Sequence, residues 1–233
     1  MDRRSPNRKS RRRYAIAWVC ILTAATRALA CDSATATALA TSEEIKAFFD
    51  AQDRQVVTFV GYSGAGYENP SALLEIAAKI LARFDPSNTI VNIGATPDGI
   101  GAVYELAKAG GFVTTGIVST QAMRYDAPLS PCVDRVFFVQ DETWGGFIDD
   151  GHRLSPTSSA MLDNSDLVVG IGGGKVARDE LTAAMRSGKE TRYIAADMNH
   201  RKATEKAREK GLAAPDSFAG AAAEVFLHSP GLD

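Results

Sequence analysis

Reactive and metal-binding side chains are scarce in this chain. Its 233 residues include three cysteines, Cys20, Cys31 and Cys132, and three histidines, His152, His200 and His228. No Cys-x-x-Cys or His-x-x-x-His spacing occurs, so no zinc cluster and no dithiol redox motif is written into the sequence. The scattered histidines read as surface residues. So few thiols cannot staple a small disulfide-built domain. The longest apolar stretch, Tyr14–Ala25, is too short for a comfortable membrane span. No internal repeat or low-complexity block breaks the chain after the N-terminal region. A basic body is missing too. Residues 1–30 hold eight basic side chains and one acid, and the remainder sets 18 basic against 27 acidic residues, a net −9. That balance excludes general DNA or RNA binding, which draws its affinity from phosphate neutralisation. What is present is ordinary for one globular α/β domain: 45% hydrophobic and 23% charged residues.

The first thirty residues have the form of an export signal. A basic segment runs to Arg13, an apolar one from Tyr14 to Ala25, and small residues, Ala28-Leu29-Ala30, precede Cys31. Residues 1–30 are therefore expected to be a signal peptide on an exported protein. The alternative is a basic leader on a cytoplasmic one. Ala28-Leu29-Ala30-Cys31 also resembles a lipoprotein box, which would place a lipid anchor on Cys31. Cys31 and Cys132 could instead pair in an oxidising compartment. Residues 31–41, rich in Ala, Ser and Thr without apolar periodicity, read as a tether, and residues 42–233 as a single domain.

Within that domain helical and strand patterns alternate. Thr41-Ser-Glu-Glu44 is a capping box opening a helix to about Gln52. Strands are expected at Gln55–Val60, Thr89–Ile93, Phe112–Val118, Arg135–Val139, Leu167–Ile171 and Tyr193–Ala196. Helices are expected at Ser71–Phe84, Ile100–Ala109, Ser158–Leu162, Val176–Arg186, Arg201–Lys210 and Phe218–Phe226. Short apolar strands between helices argue an α/β class, a Rossmann-like parallel sheet with helices on both faces.

The richest segment is Asp166-Leu-Val-Val-Gly-Ile-Gly-Gly-Gly-Lys-Val-Ala-Arg-Asp-Glu180. A buried strand runs into Gly172, Gly173 and Gly174, and a helix begins at Lys175. Such a turn leaves backbone N–H groups free to bind an anion, most often phosphate. A bare strand-to-helix turn is the structural alternative. Two more Gly-rich loops follow strands. The first supplies Gly61, Ser63, Gly64 and Asn69 as candidate ligand residues, the second Gly94, Gly99 and Gly101. In parallel sheets ligands collect at such carboxyl-end loops. Lys175 and Arg178 could meet a phosphate or stay solvated. Ser63 and Asn69 could donate to a ligand or to their own loop, and Asp98 suits an Asx turn. Asp141, Glu142 and Trp144 follow a strand and suit either a ribose and base or an acidic rim. Asp149, Asp150, His152 and Arg153 form a polar stretch of no recognised spacing.

Together these motifs resemble the "lonely guy" phosphoribohydrolases, once called lysine decarboxylases. Gly61-Tyr-Ser-Gly-Ala-Gly-Tyr-Glu-Asn-Pro70 is similar to their first loop, and Ile93-Gly-Ala-Thr-Pro-Asp-Gly-Ile-Gly-Ala-Val103 to their second Gly-rich turn. Ala109–Val118 resembles the strand that follows. Gly172-Gly-Gly-Lys-Val-Ala-Arg-Asp-Glu180 resembles their Pro-Gly-Gly-x-Gly-Thr-x-x-Glu signature. The resemblance spans roughly residues 56–197. It implies a Rossmann-like fold, a homodimer, and a nucleotide or sugar-phosphate ligand with no separate cofactor or metal. In those enzymes the bond between base and ribose 5′-phosphate is hydrolysed.

The departures are chemical. The signature proline, third glycine and threonine are Gly172, Val176 and Ala177, while the glutamate is kept as Glu180. The family's Arg-Lys pair falls within Ser155–Leu162, which has no basic residue, and Arg153 lies out of register. Glycoside cleavage builds positive charge on the ribose, which Glu180 could stabilise. The groups that anchor phosphate and leaving group are missing. The expected function is nucleotide binding with weak N-glycosidase activity, dependent on Glu180. Alternatives are a catalytically silent binding or sensing protein, and a deoxyribosyltransferase-like enzyme using Asp141 or Glu142 as a second carboxylate.

Overall fold

The computed structural model describes residues 1, 31, 35–149 and 153–226. Residues 2–30, where a signal peptide is expected and which include Cys20, lie outside the described residues, as do Asp150, His152 and His228. The chain runs β1 (Ala36–Leu39), α1 (Ser42–Gln52), β2 (Gln55–Gly61), α2 (Pro70–Leu81), β3 (Thr89–Ile93), α3 (Val103–Ala109), β4 (Val113–Ser119) and α4 (Gln121–Arg124). It continues through β5 (Arg135–Val139), β6 (Phe147–Ile148), β7 (Arg153–Leu154), α5 (Pro156–Asp163), β8 (Leu167–Ile171), α6 (Lys175–Arg186), β9 (Glu190–Ile194), α7 (His200–Glu209) and α8 (Gly220–Phe226). A 3-10 turn, Gly99–Ala102, leads into α3.

Local chemistry sets the boundaries. At α1 the Thr41 hydroxyl accepts from Glu44 N at 3.2 Å and the Glu44 carboxylate accepts from Thr41 N at 2.8 Å, the reciprocal capping box. Asn69 caps α2 by accepting from Ala72 N at 3.0 Å, and Pro70 opens the helix, where its missing N–H costs nothing. The central strands are short apolar runs buried on both faces.

Seven strands form one sheet in the order β1-β5-β4-β3-β2-β8-β9, and every pairing is parallel. One face packs Val57, Phe59, Val91 and Ile93 against Leu73 and Ala77 of α2 and Val103 and Tyr104 of α3. The other packs Val56, Val60, Ile90 and Val168 against Ile45 of α1, Met161 of α5, Leu181 of α6 and Phe226 of α8. This is the expected α/β class, a Rossmann-like sheet with helices on both faces. From β2 the chain builds outward through β3, β4 and β5, then crosses to β8 and β9 on the other side. The switch point therefore lies between β2 and β8, the position where such sheets hold ligands.

Two readings of the N-terminal linker need correction. The stretch taken as a tether contributes β1, which pairs with β5 from Ala36 opposite Arg135 to Leu39 opposite Phe138. Its small residues hid it, because an edge strand of this kind is mostly exposed and carries no apolar alternation. Cys31 is joined to Cys132 across a sequence separation of 101 residues. That bond occupies the sulfur a lipid would need, so a lipid anchor on Cys31 is incompatible with this structure.

Candidate functional site

A cavity of about 410 Å³ opens at the carboxyl ends of β2, β3 and β4, beside the switch point. That volume lies in the range of small-molecule sites. Its wall is apolar for the most part, from Phe59 and Ile93 to Leu129 and Met161. Ser63, Thr96, Asp98, Ser119, Thr157 and Glu180 supply polar groups. Among the described residues lining it there is no lysine, arginine or histidine.

The loops that frame it are tied to one another. Tyr67 folds back so that its hydroxyl donates to Ile171 O at 2.7 Å and accepts from Tyr62 N at 3.2 Å. Ile100 N donates to Tyr62 O at 2.7 Å, joining the second loop to the first. That approach needs Gly99 at φ +60, where a Cβ would strike the Tyr62 and Ser63 carbonyls. In the second loop Ala95 is buried in the left-handed region at φ 57. Such a conformation costs an alanine roughly 1–2 kcal/mol. The surroundings hold it there: Ala95 N donates to the Tyr104 hydroxyl at 3.2 Å and Ser130 N donates to Ala95 O at 2.9 Å. Strain of this sort collects at binding sites. Here it turns Thr96, Pro97 and Asp98 over the cavity.

The opposite wall is the first turns of α6, through Val176, Ala177 and Glu180. Glu180 is only 4% exposed. Ser158 Oγ, on α5, donates to its Oε1 at 2.6 Å, and Gly146 N in turn donates to Ser158 Oγ at 2.8 Å. Burial pushes the Glu180 acid up to about 7; the Ser158 hydrogen bond opposes the rise and the neighbouring Asp179 charge adds to it. A carboxyl group placed this way can pass a proton near neutral pH. At the rim Trp144 is half-exposed and stacks on Tyr125, with ring centroids 5.9 Å apart and planes 26° from parallel.

The candidate residues divide. Gly61, Ser63, Gly64, Gly94 and Glu180 line the cavity. Asn69, Gly99, Gly101, Gly172, Gly173, Gly174 and Lys175 do not. Asn69 is spent on capping α2. Gly101 lies against the Thr96 carbonyl. The triple glycine serves packing. A Cβ on Gly172 would meet the Tyr62 ring at 2.5 Å and Ala196 O at 2.6 Å, and Gly173 O accepts from Ala222 N of α8 at 3.1 Å. Gly174 is the residue before α6, and Lys175 is exposed. The Arg178 guanidinium pairs with Asp179 at 2.7 Å, and Arg153 pairs with Asp149 at the surface at 2.7 Å. Neither takes the place of the missing basic pair.

Asp141 is also occupied. Its Oδ1 accepts from Thr143 N at 2.8 Å and its Oδ2 from Thr157 N at 3.0 Å. Burial would raise its acid, but hydrogen bonds from Thr157 and Thr143 outweigh that and hold it below the usual carboxylate range. Glu142 is exposed and lies 3.8 Å from Arg124. A second carboxylate beside Glu180, as a transferase would need, is therefore not supplied by these two residues. Asp98 makes no side-chain cap and lines the cavity instead. Thr96, Ser119 and Thr157 carried no sequence signal, because isolated hydroxyls in strand ends and helix starts look like any others.

No family model matches the chain, and no curated protein does. Among solved structures it is similar to the structural-genomics target TM1055, at 25% identity over 59% of this chain and 72% of that one, with a TM-score of 0.43. It is similar to the molybdenum cofactor carrier protein of Chlamydomonas reinhardtii, at 16% identity over 74% of this chain and 96% of that one, with a TM-score of 0.45. It is similar also to the molybdenum cofactor binding protein of Rippkaea orientalis, at 15% identity over 70% and 90% of the two chains, with a TM-score of 0.43. These likenesses are distant. The sheet order and its switch point make the fold Rossmann-like independently of them.

Proposed function

We propose that the cavity binds a small molecule of the nucleotide class, a base joined to a sugar, and that the protein acts as a binder more than as a catalyst. The observation that carries this reading is the pairing of Glu180, which lines the cavity, with Ser158 buried behind it. A glycosidase needs an ionised carboxylate beside the ribose and cations or donors on the departing groups. Here the carboxyl is desolvated, is held by a neutral hydroxyl, and has no cation among the described lining residues. The aromatic rim at Trp144 suits a planar base, and the apolar wall suits its burial. Losing one positioned electrostatic group typically costs roughly 10²–10³ in rate. Hydrolysis at this site is therefore slow and passes through Glu180.

The test is a thermal-shift screen of nucleosides and their monophosphates, followed by chromatography for free base. A ligand-dependent rise in Tm with base release that Glu180→Gln abolishes supports the whole reading. Stabilisation without base release supports the silent binder. No stabilisation by any compound sinks both. We also propose export, supported by the signal-like N-terminus and by a disulfide of a kind that persists in oxidising compartments. N-terminal sequencing of protein from its host would check this, and a chain retaining residues 1–30 would sink it.

A further inference from the structure

Two of the three residues of the glycine turn, Gly172 and Gly173, are taken up by packing. Tyr62 lies over Gly172, its hydroxyl donating to Ala219 O at 2.7 Å and to Ala196 O at 3.1 Å. The start of α8 closes the other side, where Ala222 N takes the Gly173 carbonyl. A Cβ on Gly220 would meet that same carbonyl at 2.5 Å, so the two glycine turns are in direct contact. The Gly172 N–H is also spent, donating to Ile194 O at 2.8 Å.

Charge points the same way. Among the described lining residues the ionisable side chains Asp98 and Glu180 are both acids. Arg178, Lys175 and Lys202 lie close in the chain or in contact with lining residues but are not themselves in the lining. Arg178 is held by Asp179, and Lys202 reaches the Gly64 carbonyl at 3.5 Å from α7. The first turn of α6 faces the cavity through Val176 and Ala177, with no basic side chain beside it among the described lining residues.

We infer that the site selects the phosphate-free member of its ligand class, a nucleoside, and discriminates against the 5′-monophosphate. The inference rests on the proposed function, since it names which nucleotide-class ligand the same cavity takes. Two observations carry it: packing takes up Gly172 and Gly173 of the glycine turn, and the described lining residues include the acids Asp98 and Glu180 but no cation. A phosphate brought near the exposed Asp98 carboxylate meets repulsion worth about tenfold in affinity. A ribose hydroxyl in its place meets hydrogen-bonding oxygens.

The experiment is isothermal titration of the full chain at neutral pH with adenosine, guanosine, cytidine and uridine, and with their four 5′-monophosphates. At least one nucleoside is expected to bind, and its monophosphate about tenfold or more weaker. A monophosphate that binds as tightly as its nucleoside overturns the inference and leaves the proposed function standing. No heat from any compound overturns both. A second arm uses Asp98→Lys, at an exposed position at the cavity mouth. The added cation should narrow the nucleoside-to-monophosphate ratio about tenfold by strengthening monophosphate binding. An unchanged ratio in the folded variant would show that charge is not what sets the preference.

Discussion

Ser158 Oγ stands 2.6 Å from Glu180 Oε1, inside the cavity wall and out of solvent. The serine occupies the stretch where the resembled family carries its basic pair. A cation there would hold the glutamate ionised. A hydroxyl donates a single neutral hydrogen bond, which is too weak to offset burial, so the acid rises to about 7.

Stability should follow that titration. The unfolded chain ionises Glu180 near 4.5, the folded chain near 7. Between these values the folded state binds the extra proton, so stability from this group falls as pH rises from about 4.5 to 7, then levels off. The full excursion is at most roughly 3 kcal/mol. Glu180→Gln removes the titration. Urea denaturation at pH 5, 6, 7 and 8 should show the wild type losing ground to the variant with rising pH. A constant difference between them would rule out a titrating Glu180.

Reduction should loosen the N-terminal edge of the sheet. The Cys31–Cys132 bond closes a separation of 101 residues and lies just before β1. A loop of about 100 residues contributes up to about 4.7 kcal/mol in the chain-entropy picture. Cys132→Ser, or added dithiothreitol, should lower Tm by several degrees. The effect should be absent in a chain that begins at Asp32. Equal melting of oxidised and reduced protein would mean that the bond stabilises nothing.

Gly173 is a packing residue, and its replacement should act on the fold. It sits at φ 136, and a Cβ would come within 2.6 Å of the Ala177 Cβ. A turn that held phosphate would lose binding and keep its helices when a larger side chain replaced Gly173. The contacts with α8 lead to a different outcome. Gly173→Ala should lower stability by roughly 1–2 kcal/mol or more, from the backbone alone. Circular dichroism melting decides it. An unchanged Tm together with lost ligand binding would restore the anion-site reading.

The sequence made the central sheet legible because its strands are apolar on both faces. Thr89–Ile93, Arg135–Val139 and Leu167–Ile171 fall where the pattern places them, and the Thr41 capping box forms as written. Edges were harder. β9 spans Glu190–Ile194, not Tyr193–Ala196, because its outer position leaves Glu190 exposed and breaks the apolar run. β1 and the β6–β7 hairpin gave no periodic signal at all. At the site, Glu180 could be singled out from a motif. Its partner Ser158 could not, since their contact spans 22 residues and two helices. Nor could any local pattern reveal that Tyr62 and α8 pack against Gly172 and Gly173. That is a meeting of segments distant in sequence.

Gly94 offers the cleanest separation of site from scaffold. It lines the cavity, its φ does not fall in the left-handed region, and a Cβ there would meet nothing within 4 Å. A side chain at this position enters space that only a ligand would use. Gly94→Leu should therefore keep the wild-type Tm to within a few degrees, since no packed neighbour has to move. It should abolish the ligand-induced thermal shift, because the leucine occupies the volume the ligand needs. Gly173→Ala should give the opposite pattern, a lowered Tm with the residual folded protein still responding to ligand. Ligand binding that survives Gly94→Leu unchanged would place the site outside this cavity. The Glu180–Ser158 pair would then be part of the scaffold alone.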